Sequence, residues 1–246
     1  MQKSTIQALN TINSQFYKTI ARDFDESRNH YWPGWQMLLK HIKPSAIKNV
    51  LDIGSGNGRF GTFSKEHFPN LDSYLGLDNS IELLEAAKKQ ATLSNSKFSQ
   101  LDVVTQLLSD KPLVESIHEY DLIALFGVMH HIPSFELRKK LIIEISKKLS
   151  KNGILVFSTW QFMEFERFTK KLIDASNLSI QTTQLEENDY FLDWQRGESA
   201  IRYCHYHTQD EVKKLIHNSG VSLIKTFRAD GKEGTVNCYY ILKKES

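Results

Sequence analysis

The segment Val50-Leu-Asp-Ile-Gly-Ser-Gly-Asn-Gly-Arg-Phe60 limits what this chain can fold into more than any other. An apolar run that ends in three alternating glycines reads as a buried strand, a tight turn and a following helix. Gly54, Gly56 and Gly58 let backbone approach a ligand at the strand's C-terminal end, the usual site in open α/β sheets. A dinucleotide fingerprint needs glycine at 59, where Arg59 stands. A P-loop is excluded because no Gly-Lys-Ser/Thr follows.

The βα rhythm continues downstream. Ser73–Leu77, Lys97–Leu101, Tyr120–Gly127 and Ile154–Thr159 read as strands, with helices over Ile81–Thr92 and Phe135–Leu149. This pattern predicts an α/β fold with a doubly wound, mostly parallel sheet. Upstream, Ile6, Leu9, Ile12, Phe16, Ile20 and Phe24 form one helical apolar stripe, and a short helix is expected over Met37–Ile42. Downstream, a helix over Phe162–Ala175 precedes a polar stretch, 176–200, that reads as an insertion. Thr208-x-x-Glu211 is a capping box, and Val221–Phe227 with Val236–Leu242 reads as a hairpin. The expected organisation is a single domain over 1–246: an N-terminal helical lid (1–46), a ligand-binding core (47–160), and a substrate-side insertion with the C-terminal hairpin (161–246).

Composition adds exclusions. The 246 residues carry 31 basic and 29 acidic side chains, too balanced to announce a polyanion partner. The densest basic stretch, Arg138, Lys139, Lys140, Lys147, Lys148 and Lys151, offers either a phosphate-binding face or a solvated helix whose last lysines complement its dipole. No apolar run is long enough to span a membrane, and no signal-peptide core opens the chain. The two cysteines, Cys204 and Cys238, form no metal-binding or disulfide pattern, which fits a reducing, cytoplasmic setting. No metal is expected.

Asp52 lies inside the first strand, Asp78 ends the second about twenty residues beyond Gly58, and Asp102 follows the third. A carboxylate at 78 can accept from both hydroxyls of a ribose. One at 102 can accept from an adenine amino group while the Val103 N–H meets a ring nitrogen. Any one acid is an ordinary strand-end cap; three on consecutive strand ends beside a glycine loop are not. The constellation resembles the class I S-adenosylmethionine (SAM)-dependent methyltransferases. The resemblance implies a seven-stranded sheet with the last strand antiparallel, SAM as cofactor, Asp52 with Gly54, Gly56 and Gly58 on its methionine part, Asp78 on the ribose, and Asp102 with Val103 on the adenine.

Strand four ends in Phe126-Gly-Val-Met-His-His-Ile-Pro-Ser134, without the Asp/Asn-Pro-Pro-Tyr/Phe motif of amino-directed nucleic-acid enzymes. A cysteine-dependent C5 methylation is disfavoured, because Cys204 and Cys238 fall in the C-terminal third, away from the catalytic loops. Cys238 reads as core. Of His130 and His131, one active and one structural is expected, with His131 the active one.

Phe24-Asp-Glu-Ser-Arg28 with Trp32-Pro33, the His-His loop, and Arg202-Tyr-Cys-His-Tyr206 together resemble the tRNA wobble-uridine carboxymethyl methyltransferases, over about residues 16–243. Ser55, Arg59 and Cys204 depart from that pattern. The resemblance implies esterification of 5-carboxymethyluridine in the tRNA anticodon loop. It also implies a small zinc-binding activator protein at the sheet edge near Lys97–Leu101. On this reading Arg28 and Arg202 clamp the carboxylate or a phosphate, His131 orients the nucleophilic oxygen and Trp160 stacks on uracil. Arg28 could equally pin the lid to Asp25 or Glu26, and Trp160 could be core packing. A small-molecule carboxyl or hydroxyl O-methyltransferase and a non-catalytic SAM-binding scaffold are the rival functions.

Overall fold

Val50, Leu51 and Ile53 are fully buried because β1 (Asn49–Ile53), set between its parallel neighbours β2 (Ser73–Asp78) and β4 (Tyr120–Leu125), is covered on both faces of the sheet. A strand covered on both faces is apolar without alternation. The computed structural model that shows this describes residues 1–26, 30–91, 94–109, 111–115, 118–178, 180–196 and 198–245. The sheet also contains β3 (Ser96–Gln100), β5 (Leu149–Trp160), β9 (Val221–Ala229) and β10 (Asn237–Lys244). Its order is β3-β2-β1-β4-β5-β10-β9, seven strands in all. β10 runs antiparallel to both β5 and β9, so the reversed strand is the last in the chain, as the resemblance implies. The strand order reverses between β1 and β4, which opens a crevice above their C-terminal ends.

Alternate side chains feed two cores. Leu51, Ile123, Phe157 and Tyr240 face α5 (Val103–Leu108), α6 (Phe135–Ser146) and α8 (Gln209–Ile216). Val50, Leu122, Val156 and Tyr239 face α2 (Pro33–Leu38) and α3 (Arg59–His67). The sheet is therefore doubly wound, with Cys238 in the first core as expected. α4 (Ile81–Gln90) packs beside β3. Among the described residues no helix is long and apolar enough to cross a membrane.

Several elements differ from the sequence expectation. The short helix begins at Pro33 rather than Met37, because proline is pre-set for a first helical position. α5, capped by Asp102, is a helix in a stretch that had no expected element. The helix expected over Phe162–Ala175 is one 3-10 turn (Phe162–Glu164) and a single α-turn, α7 (Glu166–Thr169). It stops there because Leu172 and Ile173 leave as β6, which pairs with β7 (Asp189–Arg196). β7 pairs in turn with β8 (Glu198–His205), so the second half of the 176–200 stretch enters a second, three-stranded antiparallel sheet. Phe191 and Tyr203 point from it to Leu9 on α1 (Lys3–Glu26), while Leu192 and Cys204 pack with Trp160 and Phe162.

A buried ionic network ties this second sheet to the main fold. Arg138, 1% exposed, donates to Glu211 Oε1 (3.0 Å), Glu186 Oε2 (2.6 Å) and the Ile132 carbonyl (3.0 Å). His205 bridges Asp189 and Glu211 at 2.7 Å each, and the Tyr203 hydroxyl also donates to Asp189. Burial opposes a charge on His205, but the two carboxylate hydrogen bonds outweigh it and push its pKa up. His207 beside it, without such partners, is pushed well below the usual histidine range by burial. Arg138 is thus an internal tie rather than part of a phosphate-binding face. Lys140 is bonded to the Leu107 carbonyl and Lys147 to Glu144, which disperses the basic stretch further.

Candidate active site

β1 delivers the chain into the crevice through a loop whose shape requires glycine. Gly54 sits at φ +75°, where a Cβ would lie 2.2 Å from Val128 Cγ2. Gly56, at φ +54°, faces open space with nothing within 4 Å of a Cβ position, which leaves its backbone bare to the cleft. Gly58 does not line the cleft: it is the N-cap residue of α3, packed against Ala87.

Asp78 holds this loop, and Asp52 lies buried beneath it in β1. Asp78 accepts from the backbone N–H of Gly56 (2.8 Å) and Ser80 (2.9 Å), with Asn79 a further backbone donor, which leaves part of the carboxylate's acceptor capacity unused. Burial raises its pKa, and those backbone donors counter the rise. Asp52 is 2% exposed and receives the Tyr74 hydroxyl at 2.5 Å. Burial pushes its pKa up to about 7; the Tyr74 bond opposes this and the charge of Asp78 adds to it. Asp102 caps α5 through Thr105 N (3.0 Å) and also accepts from Asn10 on α1 (2.8 Å).

These groups line one cleft of about 720 Å³, within the range of ordinary small-molecule sites. Asp52, Gly54, Gly56, Asp78, Asp102 and Val103 lie along it, and so do His131, Trp160 and Arg202. Arg28 lies outside the described residues.

At the second end, the Arg202 guanidinium stands 4.3 Å from the Trp160 ring centroid and 5.4 Å from that of Phe16. Its Nε is buried with no hydrogen-bond acceptor. Trp160 packs against Phe162 and Phe168 as core and lines the cleft with the rest of its surface. His131 Nε2 is 2.7 Å from the Tyr17 hydroxyl and Nδ1 is 3.0 Å from the Tyr203 carbonyl. Cys204 Sγ lies 3.9 Å from that Nδ1, so this cysteine is near the catalytic loop after all. It is fully buried and its thiol pKa is pushed up to about 12, which keeps it a neutral packing group rather than a nucleophile.

Among the described residues, two groups of side chains have the composition of a cation site: His130 with His131 and Cys204, and Glu186 with Asp189 and His205. In the first, both His131 nitrogens are already engaged; in the second, every member is held by the Arg138 network or Tyr203.

Asn10, Asn13, Ser14 and Tyr17 also line the cleft from α1 and were not anticipated. Their spacing of three and four is a second, polar stripe on the helix whose apolar stripe had been read. Trp32 and Trp194 are further unanticipated lining residues.

Comparison with known proteins decides the family. Residues 18–226 match the family described as a methyltransferase domain. The chain belongs to this methyltransferase family. It is 24% identical over 232 residues to the tRNA (carboxymethyluridine(34)-5-O)-methyltransferase of Schizosaccharomyces pombe, covering 89% of this chain and 92% of the relative. Its fold matches that of an S-adenosylmethionine-dependent methyltransferase from Clostridium acetobutylicum (TM-score 0.65, 13% identity, 94% and 99% of the two chains). It also matches the N-methyltransferase NodS of Bradyrhizobium japonicum in complex with S-adenosyl-L-homocysteine (TM-score 0.58, 14% identity, 98% and 99%). The cofactor of this methyltransferase is SAM. The bare backbone at Gly56 and the free acceptor positions on Asp78 fit an amino-acid and ribose ligand in the cleft.

Proposed function

We propose that the chain esterifies the carboxylate of 5-carboxymethyluridine at the wobble position of tRNA. The observation that carries this reading is Arg202: a half-buried guanidinium whose buried Nε is unused, flanked by aromatic rings and lining the cleft. Such a group calls for an anionic acceptor. The full-length similarity to a tRNA carboxymethyluridine methyltransferase supports the same acceptor.

Bound in the cleft, SAM supplies an electrophilic methyl group on a sulfonium sulfur. Asp52, Gly54 and Gly56 hold its amino-acid part, Asp78 its ribose, and Asp102 with Val103 its adenine; Gly58 serves by starting α3. A carboxylate is already a nucleophile and needs no strong base. It needs alignment and exclusion of water, which positioning alone makes worth several kcal/mol. Arg202 draws the carboxylate in, with Arg28 as a second clamp, and His131 fixes the oxygen. Trp160 offers ring surface to the base, although Arg202 takes one of its faces. The exposed edge strand β3 is where a small zinc-binding activator would add a strand. The setting is cytoplasmic, which suits two free buried thiols.

The test is transfer of labelled methyl from SAM to two tRNA pools, one rich in wobble carboxymethyluridine and one from cells that never make that group. Label in the first pool only, released by mild alkali as an ester is, supports the reading. Label on a small free acid, with none on either pool even when an activator is added, replaces it with a small-molecule O-methyltransferase.

A further inference from the structure

His131 is held from two sides, and the two partners fix where its proton sits. The Tyr203 carbonyl on β8 is 3.0 Å from Nδ1 and has no proton to give, so Nδ1 carries the ring hydrogen. Asn13 Nδ2 also approaches Nδ1, at 3.4 Å, but the shorter carbonyl contact decides the tautomer. Asn13 Oδ1 meanwhile accepts from the Tyr203 N–H at 2.8 Å, which fixes how that amide is turned. In the neutral ring Nε2 is then an acceptor, and the Tyr17 phenol donates to it at 2.7 Å. Tyr17 lies edge-on to the imidazole, with ring centroids 5.4 Å apart, and lines the cleft beside Arg202 and Trp160. At rest the Tyr17 O–H is directed at His131 and so does not donate to a carboxylate in the cleft.

We infer that Tyr17 is the group on α1 that touches the acceptor carboxylate, and that His131 is a positioning residue acting through it by taking up a proton. The inference rests on the carboxylate acceptor proposed above. When the anion enters, the phenol O–H turns from Nε2 to the carboxylate. Nε2 takes one proton from solvent, and the imidazolium donates Nε2–H to the phenol oxygen and Nδ1–H to the Tyr203 carbonyl. Every donor then meets an acceptor, and no covalent bond to the phenol breaks. Once the carboxylate has become a neutral ester, a weaker acceptor, the proton returns to solvent and the phenol swings back.

The groups facing His131 set when this happens. Among the described residues they include His130 from its own segment (ring centroids 4.2 Å apart), Tyr17 from α1 and the neutral Cys204 thiol from β8, and Arg202 of β8 lines the same cleft. Arg202 opposes a second positive charge in the resting cleft, whereas an incoming carboxylate offsets it. The pair thereby separates a carboxylate from the isosteric carboxamide, which has no charge to balance the uptake.

Two measurements on the full chain test this. Nitrogen NMR of the His131 ring, assigned by the signal missing from His131→Gln, should show a protonated Nδ1 and a bare Nε2 at pH 8; the opposite tautomer overturns the inference. Calorimetry then follows, with S-adenosylhomocysteine present and buffers of different ionisation enthalpy. An anticodon stem-loop bearing carboxymethyluridine should bind with uptake of close to one proton, and its carbamoylmethyl counterpart with none. Tyr17→Phe should abolish the uptake and weaken the carboxymethyl stem-loop about tenfold, while S-adenosylhomocysteine affinity, which reports the fold, stays within about twofold. Preferential binding of the carboxymethyl stem-loop without uptake, or with uptake unchanged in Tyr17→Phe, overturns the inference and leaves the functional reading standing. Equal binding of carboxymethyl and plain uridine stem-loops overturns the reading itself, and the carboxylate contact with it.

Discussion

The two ends of the cleft are built in different ways. At the acid-lined end the polar groups come from consecutive strand–turn–helix units, and backbone N–H groups supply most of the donors. The Gly56 N–H donates to the Asp78 carboxylate, so the glycine loop and the end of the next strand hold each other. At the other end, Tyr17, His131, Trp160 and Arg202 come from α1, the loop after β4, the end of β5 and β8. They meet only because the second sheet docks where it does. The first end is local and made mostly by backbone; the second is assembled from distant side chains and depends on the network that anchors it.

Breaking the anchor should have the largest effect. Arg138→Ala leaves Glu186 and Glu211 without their shared cation, and removing one partner of a buried ion pair costs about 3–5 kcal/mol. Denaturant titration should show that loss, and hydrogen exchange should show β7 and β8 opening before β1. The comparison fails if both ends of the cleft lose protection together. A smaller effect is expected at the acid-lined end. Asp78→Ala removes the hydrogen bonds to the Gly56 and Ser80 N–H groups, at about 0.5–1.5 kcal/mol each. Calorimetry should therefore show SAM affinity down by at least about tenfold.

pH sharpens the contrast further, because SAM affinity at the acid-lined end should rise with pH while the stability supplied by the anchoring network falls. Asp52, raised to about 7, is protonated in the free protein below that pH. An ammonium ligand needs the carboxylate, so SAM affinity should fall by up to about tenfold per unit as pH drops below 7, and Asp52→Asn should flatten the profile. The raised value also means that the native state holds this proton more tightly than the unfolded chain. Its contribution to stability accordingly declines as pH rises from the ordinary carboxylate range to about 7. His205 is the smallest expected effect. Its pKa is raised by Asp189 and Glu211, so the stability it adds is fully present below the unfolded value of about 6.5 and is lost as pH rises through its folded value. Melting temperature against pH, compared with His205→Gln, reads this out.

The same division governs what the sequence revealed. Val50–Ile53 and Leu122–Leu125 are legible because buried parallel strands are continuous apolar runs, and the glycine loop because its φ angles exclude other residues. The second sheet is not. Phe191 and Leu192 are flanked by Asp189 and Asp193, and the polarity of Asp189 makes sense only beside His205 and Tyr203, which sequence distance hides. α5 was missed because Val103-Val104-Thr105 has the β-branched composition of a strand, and only the Asp102 cap marks a helix. Tyr17 was missed because the apolar stripe of α1 explained the helix and left its polar stripe without a role. Residues whose placement depends on a neighbouring element were the ones that could not be read.

The most direct test of this division is one variant measured twice. In Arg202→Ala, SAM affinity and methyl transfer to carboxymethyluridine tRNA would be determined on the same preparation. Loss of a charge-assisted hydrogen bond, about 1.5–3 kcal/mol, predicts transfer efficiency reduced by about 10- to 150-fold with SAM affinity within about twofold of the parent. Parallel loss of SAM affinity, or transfer that survives intact, would contradict an acceptor site separate from the cofactor site.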